Sequence, residues 1–84
     1  MLQKGDLILL DFGCRKGGYC SDLTRTVVLG PATDEQHEIY ELVLRAQLAG
    51  IAATRPDASG TSVDSAARSI IVAAGRGDDF GHGL

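Results

Sequence analysis

Cysteine is scarce in this chain. Only Cys14 and Cys20 occur in 84 residues. They lack Cys-x-x-Cys spacing, which argues against a zinc ribbon, and they read as free thiols at offset positions rather than a disulfide. An excess of basic residues is also missing. The net charge is −3 and the pI is near 5.1, which leaves no electrostatic footprint for nucleic acid or an acidic membrane. No apolar stretch approaches the roughly 20 residues of a membrane-spanning helix, and no leader pattern is visible. Internal repeats and low-complexity tracts are absent too. A chain of this length supports one small domain with a modest core. The expectation is a cytoplasmic protein with neither nucleic acid nor membrane as a partner.

What is present is concentrated near the start. Leu7-Ile8-Leu9-Leu10-Asp11-Phe12-Gly13 leads through Cys14-Arg15-Lys16-Gly17-Gly18 into Tyr19-Cys20-Ser21-Asp22-Leu23-Thr24-Arg25-Thr26-Val27-Val28. Apolar and β-branched segments on either side of a glycine-bearing turn predict a β-hairpin. With the turn centred between Lys16 and Gly17, Asp11 and Asp22 fall directly opposite each other on one face, with Cβ atoms about 4.5–5.5 Å apart. Like charges so placed repel unless a cation lies between them, and a bound metal ion or a pair of ions supplies one. Two carboxylates facing solvent are the competing reading. The four apolar residues before Asp11 suit a strand buried on both faces, where a carboxylate needs a partner. Thr24 shares the face of Asp22 in this register. Its hydroxyl is placed to donate to a ligand carboxylate and fix its orientation. Arg25 points to the other face.

The segment Asp11-Phe12-Gly13, followed by Gly18-Tyr19-Cys20-Ser21-Asp22-Leu23-Thr24-Arg25-Thr26, resembles the metal-binding hairpin of the pita-bread metallopeptidases, whose pattern is D-[FL]-G, a short turn, then G-Y-x-S-D-x-T-R-T. The Ser-Asp-x-Thr-Arg-Thr wording favours the Xaa-Pro aminopeptidase and prolidase branch over the methionine aminopeptidases. The resemblance implies that Asp11 and Asp22 are the first two of five protein ligands to a dinuclear centre. It also implies an α+β fold: a β-hairpin followed by two helices, as part of the pita-bread architecture.

The following sequence is compatible. Gly30-Pro31 ends the second strand. Thr33 and Gln36 form a capping box, opening a helix to about Thr54 with Ile39, Val43, Ala46 and Gly50 along one face. Asp34 and Glu35 suit its first turn. Arg55-Pro56-Asp57-Ala58-Ser59-Gly60 breaks the helix. A second helix is predicted to start after Thr61 or Ser62 and to end at Gly75, with Val63, Ala66, Ala67, Ile70, Ile71 and Ala74 as its apolar set. Asp64 and Arg68, four apart, predict an exposed ion pair worth a few tenths of a kcal/mol. His37, beside Glu35 and Glu38, reads as a solvated helix residue.

Phe80-Gly81-His82-Gly83-Leu84 fits the family in two registers. In one, His82 is a metal ligand within Gly-His-Gly-[IL]-Gly. In the other, which Phe80 and the short gap from Asp22 favour, it opens F-x-H-x-x-G-H-G-[IV]-G and is the substrate-side histidine. On that register His82 is the catalytic candidate, helping to hold or protonate the peptide.

The resemblance further implies that residues 1–84 are part of a catalytic domain whose other segments lie outside them. The implied activity is a metal-dependent aminopeptidase or dipeptidase cleaving Xaa-Pro bonds through a metal-bridged hydroxide. Two divalent ions are implied, manganese or cobalt first by ligand hardness, zinc or iron as alternatives. The implied partners are a peptide with proline at the second position and, for a full-length protein, a second copy in a homodimer. The segment alone is expected to be inactive. A methionine aminopeptidase, a creatinase-like or non-catalytic pita-bread protein, and an interaction module with an exposed sheet edge remain as alternatives.

Overall fold

The computed structural model describes residues 1–84. They form two compact units, residues 1–34 and 35–84. Strands precede helices, as an α+β reading requires.

In the first unit, strand β1 (Leu7–Phe12) pairs antiparallel with β4 (Leu23–Val28), and the two-residue strands β2 (Arg15–Lys16) and β3 (Tyr19–Cys20) close the hairpin. The turn is Gly17-Gly18, with φ of 58° and 82°. Left-handed backbone at both central residues is the I′ geometry, whose twist matches that of the strands it joins. The register therefore differs from the expected one by two residues: Asp11 lies opposite Thr24, and Arg15 opposite Cys20. The reason is local. Two consecutive glycines tolerate positive φ at both turn positions, which Lys16-Gly17 does not.

Gly13-Cys14 and Ser21-Asp22 interrupt the ladder between the two strand pairs. Two residues face two there, so the same register holds on both sides. Ser21 N–H donates to the Cys14 carbonyl at 2.9 Å, and Cys14 N–H donates to Ser21 Oγ at 3.1 Å. Both cysteines are free and exposed.

Strand β1 is not the buried strand its apolar run suggested. Leu9 is 65% exposed, and Leu7, Leu10 and Phe12 are exposed as well. Within this chain β1 has one ladder neighbour, β4. A two-stranded ribbon cannot bury both of its own faces.

The second unit holds α1 (Asp34–Ala53) from Glu35 onward, α2 (Gly60–Ala73) and a 3₁₀ turn at Gly77–Asp79. Helix α1 begins directly after Thr33. It buries Leu42, Ala46 and Gly50, while the predicted core positions Ile39 and Val43 are exposed. The apolar stripe is thus rotated from the expected one, although Ala46 and Gly50 belong to both. Helix α2 starts earlier than expected because Ser59 caps it, its Oγ accepting from Ser62 N–H at 3.1 Å. It ends as predicted. Gly75 N–H donates to the Val72 carbonyl and Arg76 N–H to that of Ile71, with Gly75 at φ 75°, which is the Schellman arrangement. Leu42 and Ala46 with Ala67 and Ile71 form the core of this unit, and Ile70 and Phe80 pack against it.

Candidate functional site

The hairpin sets the positions of both candidate metal ligands. Asp11, the fifth residue of β1, shares a face with Leu7 and Leu9 and with the cross-strand residues Thr24, Thr26 and Val28. Thr24 Oγ1 donates to Asp11 Oδ1 at 3.3 Å. The expected threonine–carboxylate hydrogen bond is therefore present, but on Asp11, the residue Thr24 faces. Asp22 stands in the interruption just before β4. It is diagonal to Asp11 rather than opposite it, a relation for which about 7–8 Å is ordinary in a regular ladder. The directly opposed pair of carboxylates inferred from the sequence is therefore not formed, because Thr24 takes the place opposite Asp11. Both carboxylates are exposed.

Gly13 is what allows the strands to pinch between the two aspartates. A Cβ built there would lie 2.1 Å from the Ser21 carbonyl oxygen and 3.6 Å from Asp22 Cα. The glycine of Asp-Phe-Gly is thus required by close backbone approach, not by its dihedral angles. This requirement was invisible without the partner strand. On the opposite face, Arg25 faces Leu10, and its guanidinium turns onto the Thr24 carbonyl at 2.8 Å.

No set of three or more His, Cys, Asp and Glu side chains gathers anywhere in the chain. The donors present, two oxygen-rich carboxylates, suit a hard or borderline divalent ion as part of a ligand set. They fall short of a whole one.

In the helical unit, His82 is exposed. Its Nδ1 lies 2.8 Å from the Gly83 carbonyl oxygen. A carbonyl only accepts, so Nδ1 carries the proton and Nε2 holds the lone pair of the neutral ring. The Phe80 and His82 rings meet edge to face, with centroids 6.0 Å apart.

The segment carrying His82 is tied down by the pair that the spacing predicted as an exposed ion pair on α2. Arg68 Nε and Nη2 donate to the two Asp64 carboxylate oxygens at 2.8 and 3.0 Å. Arg68 Nη1 donates to the Phe80 carbonyl at 2.8 Å, and Nη2 to the His82 carbonyl at 2.7 Å. The guanidinium carbon sits 4.2 Å from the Phe80 ring centroid. Leu84 N–H donates to Asp64 Oδ1 at 2.8 Å. The pair is partly covered, with side-chain exposures of 31% for Arg68 and 23% for Asp64. The exposed-pair expectation is corrected accordingly. Spacing of four identified the partners but gave no sign that the chain returns over them.

These hydrogen bonds set the acidity of Asp64. The Arg68 guanidinium and then the Leu84 amide lower its pKa from 3.8 to about 2, against a smaller opposing effect of desolvation. A depressed carboxylate contributes stability above its unfolded pKa, and that contribution is lost as pH falls through the folded value. The Leu84 amide resonance is therefore expected to hold its shift through pH 3.8 and to move only near about 2. A midpoint at the ordinary aspartate value would show that the contact does not form. His37 is exposed on α1, as expected.

The model of metallopeptidase family M24 matches residues 1–84. The Xaa-Pro dipeptidase of Pyrococcus furiosus is 43% identical over 83 residues, covering 99% of this chain and 24% of that protein. The uncharacterized peptidase YqhT of Bacillus subtilis is 46% identical over 82 residues, covering 98% of this chain and 23% of that protein. Among solved structures, the prolidase from Pyrococcus furiosus superposes with a TM-score of 0.93 at 43% identity, over 96% of this chain and 24% of that one. The X-Pro aminopeptidase from Thermotoga maritima gives 0.86 at 36% identity, over 92% of this chain and 22% of that one. The chain spans about a quarter of the length of these relatives, and its backbone is that of the corresponding part of the prolidase pita-bread fold. Shared sequence along its whole described length and a shared backbone place the chain in metallopeptidase family M24.

Proposed function

We propose that this chain is the metal-hairpin segment of a catalytic domain that hydrolyses Xaa-Pro peptide bonds. Membership of a metallopeptidase family brings divalent metal use with it. The observation that carries the reading is the Asp11–Gly13–Ser21–Asp22 pinch, with Thr24 on Asp11, in a backbone that superposes on a prolidase with a TM-score of 0.93. The exposed apolar faces of β1 support the further proposal that other segments of such a domain cover them.

In this reading Asp11 and Asp22 each supply carboxylate oxygens to the metal centre, and Thr24 keeps Asp11 in one orientation. Manganese or cobalt suits these donors first, with zinc or iron as alternatives; when bound, such ions polarise a carbonyl and activate water. His82 presents Nε2 to the substrate, where it accepts or returns a proton at the peptide. The substrate is a peptide with proline at its second position. A homodimeric full-length enzyme belongs to the same proposal and draws on the resemblance alone.

The test is a chimera in which these 84 residues replace the matching quarter of the Pyrococcus furiosus Xaa-Pro dipeptidase. Manganese-dependent turnover of an Xaa-Pro dipeptide is expected. A folded, metal-loaded chimera that turns over nothing would remove the reading. The 84-residue chain by itself is expected to be inactive and to bind manganese weakly, because tight binding needs several ligands in fixed geometry. Calorimetric titration with manganese and a dipeptide assay check both; micromolar or tighter affinity would contradict the partial ligand set.

A further inference from the structure

We propose that the Asp64–Arg68 pair is a positioning device that fixes the backbone around His82 and, through it, the imidazole's place and tautomer. This rests on the reading of His82 as a substrate-side histidine and says how that side chain is held.

An isolated helix-surface pair at i, i+4 contributes little and is free to fluctuate. This one is engaged on both partners by the same short segment. Arg68 reaches the carbonyls of Phe80 and His82, and Asp64 takes the amide of Leu84. The three contacts fall on residues 80, 82 and 84, so every second residue of the segment is held and His82 is in the middle. Four of the five guanidinium hydrogens are thereby committed, two to Asp64 and two to carbonyls, and the Phe80 ring stacks against the cation. Asp64 does not touch His82. It holds the Arg68 fork in the one orientation that serves both carbonyls.

The consequence reaches the ring. With the His82 carbonyl fixed by Arg68 and the Leu84 amide by Asp64, the Gly83 carbonyl between them is fixed too. That carbonyl accepts a hydrogen bond from Nδ1–H. It makes Nε2 the unprotonated nitrogen of the neutral ring, and the edge contact with Phe80 limits ring rotation. A lysine at 68 would keep the charge but lacks the planar fork, and cannot bridge a carboxylate and two carbonyls at once.

The experiment reads the tautomer directly, by long-range ¹H–¹⁵N correlation of the His82 ring in the 84-residue chain, well above the ordinary histidine pKa, at about pH 8. The unsubstituted chain is expected to show a protonated Nδ1 and a bare Nε2. Arg68→Lys and Asp64→Asn are expected to give exchange between tautomers, with α-helical circular dichroism unchanged. A bare Nε2 retained in both variants would overturn the proposal, as would a protonated Nε2 in the unsubstituted chain. Because the readout needs neither metal nor turnover, it separates this proposal from the peptidase reading. In the chimera, Arg68→Lys is then expected to lower kcat while leaving manganese affinity unchanged. A change in metal affinity with kcat intact would contradict a positioning role for the substrate-side ring.

Discussion

Asp11→Asn and Asp22→Asn, each made singly in the prolidase chimera, are expected to lower kcat/KM by more than about 100-fold. The scale follows from chemistry one step further out: removing the hydrogen-bond partner of a ligand costs about 10–100-fold in metal affinity or activity. Removing the ligand's own charge costs more. Asparagine is the informative replacement because it keeps the shape of the side chain. At position 11 it also leaves an oxygen able to accept from Thr24 Oγ1, which sits 3.3 Å from Asp11 Oδ1. The hairpin therefore persists and the loss is one of metal chemistry. Equal activity in the variants and the parent chimera, measured with excess manganese, would show that these carboxylates are not ligands.

Gly13→Ala is expected to destabilise the hairpin by about 3 kcal/mol, the upper part of the ordinary range for overpacking. The new methyl carbon would stand 2.1 Å from the Ser21 carbonyl oxygen, a backbone atom held by the neighbouring ladder. No rotamer relieves a clash between Cβ and backbone, so the strands must separate. A two-stranded ribbon has little stability to lose. Cross-strand contacts between Asp11 and Thr24 in the nuclear Overhauser spectrum should vanish, while Ala46 and Ala67, in the separate helical unit, keep theirs. A hairpin with unchanged cross-strand contacts would mean that the close approach at Ser21 is not obligatory.

The hairpin, both helices and the Gly75 cap were legible in the sequence because they depend on local pattern. Alternation, helical spacing and a left-handed glycine leave their marks on neighbours in the chain. Other features were not legible. The register moved by two residues because centring the turn on Lys16-Gly17 overlooks the glycine pair, and positive φ at both Gly17 and Gly18 places the turn there. The apolar run of β1 misstated its burial, since hydropathy reports what a strand would prefer to touch and not what this chain supplies. The Asp64–Arg68 clamp escaped because its other half is the backbone of residues 80–84, and backbone amides and carbonyls carry no sequence signal. The side-chain pairing of candidate residues fared in the same way. Thr24 was recognised as a partner for a carboxylate, yet which carboxylate depended on the register.

The most direct measurement is a crystal structure of the manganese-loaded chimera with anomalous scattering used to locate the ions. Manganese is expected within coordination distance of carboxylate oxygens from both Asp11 and Asp22, with Thr24 Oγ1 still bonded to Asp11. Manganese bound elsewhere, with either aspartate left in water, would contradict this.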